Sequence, residues 1–477
     1  MAANRTRASG GIGWLAHAAR ARARAAAATA ALAAAAALAA TTALAAVGAI
    51  PATSAQARTV TAPSTGAAVA AATARAAPAG AGAAGGPAGA GAGAAPAGLV
   101  PGAAPRPDGE VRPECGAART GQAQCFVLYS PRRVVGRAAA AAGSILPGWG
   151  ARQLEQAYRL PAGRQARQTV AVSIAFDTPG LEQFLAVYRR QFGLPPCTSA
   201  NGCFRKVNQR GQASPLPPSG VFTGWDLEAT LDVSMISAAC PHCRILVVEA
   251  STAAVGDLAA TDATAARLGA QVISNSYGTA ETGFSTSFAR DYEHRGHTFV
   301  VSSGDSGFGP AFFPADLANV TAVGGTSLSR ARDARGWSEQ VWNSSGGSAA
   351  SSACSAYMTR ALWQHGAACS MRTTADVSAV AVNVAEFEPT YGGWLSIAGT
   401  SVSAPLIAGI YGLAGNAATI PPGYAYRHAA ALFDVTTGNN DPAGTGGASC
   451  DFDYLCTARK GYDAPTGLGT PDGLGAF

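Results

Sequence analysis

Two carboxylates stand four residues apart in GWDLEATLDVSM (224–235), at Glu228 and Asp232. On a helix that spacing puts both on one face and within reach of each other. Their neighbours Leu227, Ala229, Leu231, Val233 and Met235 are apolar, which argues against a purely solvated acidic face. Partly buried paired carboxylates perturb one another's pKa, and acid–base sites are often built that way. Far downstream, IAGTSVSAPLIAG (397–409) places Ser401 after Gly-Thr and ahead of a run that reads as a helix. Ser401 is either a helix cap or a nucleophile, and a nucleophile needs a base to take its proton. A third position is Asp305 in VSSGDSGFG (301–309), at the end of an apolar strand among glycines that let backbone approach a ligand; the ordinary alternative is a turn residue. SNSYG (274–278) ends another strand and offers Ser274, Ser276, Tyr277 and Gly278 to line a substrate cleft.

The elements that must position these residues read as alternating strands and helices. QTVAVSIAF (168–176), RILVVEA (244–250), AQVISNSYG (270–278) and TFVVSSGDSG (298–307) are apolar, β-branched runs that end in small polar or acidic residues. LEQFLAVYRRQFG (181–193) and AVGDLAATDATAARLGA (254–270) read as helices between them. Buried strands alternating with helices make an α/β domain with a mainly parallel sheet, whose active sites form at the carboxyl ends of the strands. No internal repeat is evident.

Ahead of this domain the composition differs. Residues 1–24 carry Arg5, Arg7, Arg20, Arg22 and Arg24 with no acid, 25–49 are mostly alanine with scattered leucine, and PATSAQA (51–57) supplies the small Ala55 and Ala57. A basic region, an apolar region and a small-residue cleavage site predict a signal peptide over 1–57; an uncleaved anchor is the alternative, disfavoured because alanine is weakly apolar. Residues 58–145 form an Ala/Gly/Pro-rich low-complexity pro-segment or linker with one short cysteine-bearing stretch, ECGAARTGQAQCFVLYSPRR (114–133), in which CFVLYS reads as one strand. Five of the 34 lysines and arginines lie in the predicted signal, leaving 29 against 28 acids. So balanced a chain offers no basic surface for nucleic acid or anionic membrane.

Ten cysteines fall as near neighbours: 115 with 125, 197 with 203, 240 with 243, 354 with 369 and 450 with 456. An even count in an exported chain predicts disulfides; sequence does not fix their connectivity, and the five local pairs are a guess at it. CPHC (240–243) could instead be a redox or metal motif, but no second cysteine pair completes a zinc site.

The motifs taken together resemble the sedolisins, or serine-carboxyl peptidases, which use a subtilisin-like fold with glutamate and aspartate in place of histidine. The resemblance covers 146–477, from GWGARQLEQAYRLP (148–161) through ExxxD at Glu228 and Asp232, SNSYG, SSGDSG, FFPADLANVTAVGGTSL (312–328) and GTSVSAP to DVTTG and GYDAPTGLGTP (461–471). It implies a subtilisin-like, mainly parallel sheet flanked by helices. It also implies a secreted, monomeric endopeptidase that cleaves peptide or protein substrates at acid pH. Glu228 would be the base for Ser401, Asp232 would orient Glu228, and Asp305 would be the oxyanion residue, donating a hydrogen bond only when protonated. An ordinary subtilisin needs histidine. HRGHT (294–298) and DTPG (177–180) offer superficial matches, but His297 leads straight into a strand, and PLIAG stands where subtilisins carry PHVAG.

The resemblance further implies one structural calcium ion, held by the carboxylates of Asp434 and Asp463 and the carbonyls of Val435, Arg459 and Gly461. Arginine at 459 replaces the family's usual glycine. Residues 58–145 are also poorer in apolar residues than the long folded pro-region the family carries, so self-processing is left open. A catalytically inactive, peptidase-like secreted binding or surface protein is the alternative function; no nucleic acid is expected as a partner, nor a membrane after signal cleavage.

Overall fold

The computed structural model describes residues 111–477 except 137–144, 162, 310, 345, 365–368, 442–449 and 451–452. The expected signal peptide and, of the low-complexity stretch, residues 58–110 and 137–144 lie outside the described residues. The described residues all belong to one compact unit that spans 96–477.

Its centre is an eight-stranded sheet. Thr169–Ala175 pairs in parallel with Arg244–Ala250 on one side and Val272–Asn275 on the other; Phe204–Asn208 lies outside the former, and Thr298–Ser302 and Val320–Arg330 lie outside the latter. Val377–Val380 adds in parallel to Val320–Arg330, and Trp337–Val341 adds antiparallel. The inner strands are buried on both faces, Val170, Val172 and Ile174 against one set of neighbours and Ala171 against another, which is why they read as unbroken apolar runs. The expected mainly parallel sheet is therefore present. The run at 270–278 is two strands, Val272–Asn275 and Tyr277–Ala280, hinged at Ser276.

Two helices run through the interior, Trp225–Ala239 and Thr400–Ala414, the first buried along its whole length and the second nearly so. Helices buried on every side must be covered on every side, and these two pack against each other. The approach is close because Gly409 has no side chain: a Cβ there would stand 2.7 Å from that of Ala239 and 3.1 Å from the Ile236 carbonyl oxygen. Pro405 sits inside the second helix. The backbone carbonyls of Ala379 and Val380 accept from the Ser403 hydroxyl at 3.0 Å each, pinning the first turn of that helix to the adjacent strand.

All ten cysteines pair locally, 115–125, 197–203, 240–243, 354–369 and 450–456. CPHC is thus closed by a disulfide, and among the described residues no three His, Cys, Asp or Glu side chains gather as a metal site. No helix among them is long and apolar enough to cross a membrane.

Candidate active site

The helix Trp225–Ala239 begins after Gly224, whose φ of 87° lets the chain turn into it. Glu228 and Asp232 project from the same side, one turn apart, and neither is exposed. The helix Thr400–Ala414 follows the strand Gly393–Ala398 through Gly399, with φ at 120°, a backbone that glycine adopts without strain. That turn brings Ser401 opposite Glu228, and the Ser401 hydroxyl donates to Glu228 Oε2 at 2.8 Å. It also lies 3.2 Å from the Ser276 carbonyl oxygen. Asp232 Oδ1 accepts from the Ser276 hydroxyl at 2.6 Å.

Burial, and then the charge of Asp232, push the Glu228 carboxyl well above its ordinary range, against the hydrogen bond from Ser401. Burial does the same to Asp232, against the Ser276 hydroxyl. Glu228 Oε1 and Asp232 Oδ2 are buried with no other partner. Orphaned oxygens on two neighbouring carboxyls are costly if both ionise.

Asp305 follows the strand Thr298–Ser302 at its carboxyl end. Its Oδ1 accepts the backbone N–H and the hydroxyl of Thr400, at 2.8 and 2.9 Å, which ties it to the residue beside Ser401. The residue as a whole is part-exposed, but Oδ2 is sealed from solvent and has no partner. Burial pushes this carboxyl up to about 7 despite the two Thr400 hydrogen bonds.

The four chemical positions therefore lie in one place. The expected cleft residues divide. Gly278 pairs antiparallel with Gln124, and the Ser276 carbonyl oxygen lies 3.2 Å from the Ser401 hydroxyl. The Ser276 side chain serves Asp232 instead. Ser274 is buried within the central sheet, and the Tyr277 hydroxyl contacts Asp262, Asn275 and Ser173 in a buried polar network. Nothing in the sequence singled out the Ser276 hydroxyl as the partner of Asp232, since the contact depends on the break between two strands. His297 stands at the amino end of the strand that leads to Asp305, and its Nδ1 lies 2.6 Å from the Ala270 carbonyl oxygen. A five-residue strand is about 17 Å long, so His297 is remote from Ser401. Asp177 pairs with Lys206.

Among the expected calcium residues, Asp434 Oδ2 accepts the Gly461 amide at 2.9 Å and Asp463 Oδ2 accepts the Arg459 amide at 3.0 Å. Both carboxylates thus face one loop. Asp463 is buried while Asp434, Arg459 and Gly461 are exposed, and Val435 is buried beside them. Gly461 has φ at 82°, whereas Arg459 is not among the residues with positive φ, so arginine there imposes no backbone strain. The carboxylates of Asp434 and Asp463 are the hard oxygen donors that calcium takes, and on that donor chemistry the residues fit the ion.

The model of the subtilase family (Peptidase S8) matches residues 226–433. Sedolisin of Pseudomonas sp. (strain 101) is 30% identical over 207 residues, 37% of this chain and 34% of that protein, so the chain spans about a third of the length of the curated relative it matches. Among solved structures, Pseudomonas sedolisin, described as a serine-carboxyl proteinase complexed with two molecules of pseudo-iodotyrostatin, superposes with a TM-score of 0.58 at 23% identity, over 69% of this chain and 96% of that one. At that identity the likeness is one of fold.

Proposed function

We propose, for a chain that has the subtilisin-like fold of the sedolisin family, that it is a secreted serine-carboxyl endopeptidase acting on peptide bonds in acid. The observation that carries this reading is the hydrogen bond from Ser401 to Glu228 in a site that contains no histidine. A serine bonded to a buried carboxylate has a base that works where an imidazole is already protonated.

In the proposed mechanism Glu228 accepts the Ser401 proton as Oγ attacks the substrate carbonyl. Asp232, with the Ser276 hydroxyl on one oxygen, holds the pair to a single negative charge by keeping one proton between the two carboxyls. Asp305 is neutral below about pH 7 and donates from Oδ2 to the developing oxyanion, because Thr400 fixes the other oxygen. The tetrahedral intermediate collapses to an acyl-enzyme as Glu228 returns its proton to the leaving amine. Water then repeats the sequence. The substrates are extended peptides, which would add as a strand along Ser276–Gly278 in place of Gln124–Phe126, the segment paired there in this structure.

Labelling with a peptide aldehyde at acid pH tests the reading. A hemiacetal is expected on Ser401, found by mass in the wild-type protein held at acid pH, and none on Ser401→Ala. A wild-type protein that turns over no peptide and takes up no aldehyde is the inactive binding protein instead.

The calcium ion would be held by Asp434, Asp463 and the carbonyls of Val435, Arg459 and Gly461; when bound it supplies positive charge that ties two loops together, with no part in the chemistry. Binding to the folded state alone stabilises it by mass action. Chelation at neutral pH is expected to lower the melting temperature of the wild type by several degrees, on the order of the shift that 1–2 kcal/mol produces, and to leave Asp434→Ala unmoved. Identical wild-type melting with and without chelator removes calcium from the account.

A further inference from the structure

A peptidase nucleophile has to be reachable, yet Ser401 and Glu228 are each 0% exposed. Two surface pockets, one lined by Asn208, Gln212 and Pro215 and the other by Thr264, His294 and His297, are formed by other residues. What covers the site is the cysteine-bearing stretch that precedes the domain. The Gly121 carbonyl accepts from Val255, Gln122 bridges antiparallel to Ala254, and the Ala123 amide donates to Ala253 at 2.9 Å. On the other edge Gln124 pairs antiparallel with Gly278, Cys125 pairs with Tyr277, and the Phe126 amide donates to the Ser276 carbonyl at 3.3 Å. The chain is thus an extended strand added between two edges, the mode by which a peptide is gripped through its backbone.

It then crosses the nucleophile. Ser401 Oγ lies 3.2 Å from the Ser276 carbonyl oxygen that accepts the Phe126 amide at 3.3 Å. The Phe126 carbonyl oxygen lies 1.9 Å from where a Cβ on Gly399 would be, and Asp305 Oδ2, the oxygen without a partner, lies 2.8 Å from the same point. Beyond Val127 the chain resumes pairing: Leu128 with Ala398, Tyr129 with Ile397 and Ser130 with Ser396, on the strand that leads into Ser401. The Phe126 ring packs edge-on against Phe312 at 5.2 Å, and a Cβ on Gly278 would come within 3.0 Å of it. The pocket is therefore walled by a residue with no side chain and an aromatic ring.

We propose that the Cys115–Cys125 disulfide clamps residues 121–128 in the site as an inhibitor in cis, with the Phe126–Val127 peptide bond in the scissile position. The clamp follows from what flanks the bond. Cys125, immediately before Phe126, is tied to Cys115; the adjoining Glu114 amide donates to the Val127 carbonyl at 3.1 Å, and Arg112 and Pro113 pair with Tyr129 and Leu128. Both sides of the bond are thus held by the same short turn of chain. Tyr391 donates to Glu114 at 2.7 Å and fastens that turn to the domain. Cutting the bond frees a carboxylate at Phe126 and an amine at Val127 but leaves them side by side, so the amino-side product leaves slowly.

This rests on the peptidase reading. Ser401 Oγ adds to the Phe126 carbonyl carbon as its proton passes to Glu228. The C–N bond to Val127 breaks, and Glu228 protonates the departing amine. Water then hydrolyses the Phe126 ester, its hydroxyl joining Phe126 and its proton restoring Ser401 through Glu228. The pocket implies that an aromatic residue before the cut is accepted in external substrates as well.

The test uses the full chain, purified uncut at neutral pH and then acidified. Intact mass and amino-terminal sequencing are expected to find a new end at Val127 in the wild type and none in Ser401→Ala. The Cys115→Ala/Cys125→Ala protein is expected to release the amino-side fragment on gel filtration and to turn over an external aromatic-containing peptide about tenfold or more faster than the freshly cut wild type, since loss of the tether removes its high effective concentration. Should that double variant fail to fold, Phe126→Asp is expected to turn over the external peptide without any cut at 126–127. Ser401-dependent turnover by wild type whose Phe126–Val127 bond is intact would overturn the proposal, as would equal rates in the cut wild type and the unclamped variants. Absence of turnover in every form overturns the peptidase reading itself, and the scissile assignment falls with it.

Discussion

Replacing Ser401 by alanine is expected to lower peptide turnover by about 10⁴- to 10⁶-fold, the scale of nucleophile losses in serine peptidases. Glu228→Gln should lose a similar amount, because an amide keeps the shape of the 2.8 Å contact but accepts no proton. The double variant should be little worse than either single one. Residues that act as a unit are not additive: once the serine is gone the base has nothing to deprotonate. Asp232→Asn removes the carboxyl that shares a proton with Glu228 while leaving an oxygen for the Ser276 hydroxyl, so its loss should be smaller, about 10³- to 10⁴-fold. The measurement is single-turnover cleavage of one peptide at acid pH on cleft-opened protein, with folding verified by circular dichroism. Near-normal turnover in folded Ser401→Ala or Glu228→Gln removes both from their roles.

The parts of this site that were legible in the sequence are those written in local periodicity. Glu228 and Asp232 announce themselves by a spacing of four within an apolar helix, and Asp305 by its place at the end of a β-branched run. RILVVEA is the strand Arg244–Ala250 residue for residue, and the helices at 181–191 and 255–267 fall within the stretches read as helical. What depends on pairing distant in sequence was not legible. Ser276 bonds Asp232 because the chain breaks direction there, and Thr400 orients Asp305 across 95 residues; no residue spacing encodes either. The clearest case is CFVLYS, which reads as a single strand. In the structure Gln124–Cys125 belongs to one sheet and Leu128–Val135 to another, and the two residues between them span the nucleophile. Alternation of side chains marks a strand but says nothing of which edges receive it.

The second large effect is on pH dependence, and it separates a carboxyl mechanism from any that uses histidine. Asp305 must carry a proton to donate from Oδ2, and burial pushes its carboxyl up to about 7. The donor is therefore present below that value and lost as pH rises through it, where the carboxylate also repels the developing oxyanion. On the acid side the limit is ionisation of the Glu228–Asp232 pair. Its pKa is raised while the site is covered; opening the cleft to water relieves the burial of this pair and of Asp305 alike, so both limbs move from their covered positions towards the ordinary carboxylate range. Turnover should therefore peak in acid, at about pH 3 to 5, and decline towards neutrality. In Asp305→Asn the amide donates at every pH, so the variant is expected to be slower at its best but to hold its remaining rate further into the neutral range. Folding has to be followed in parallel, because other buried carboxyls act in the same direction on stability. Burial pushes Glu249, Asp262 and Asp316 each up to about 8. The unfolded chain ionises these groups near pH 4 while the folded chain keeps their protons, so stability falls with rising pH between those values. Circular dichroism at each point from pH 2 to 8 distinguishes a lost donor from a lost fold. A wild-type optimum near pH 8 rejects the carboxyl mechanism. An alkaline limb unchanged in Asp305→Asn, with the protein still folded, takes Asp305 out of the oxyanion site.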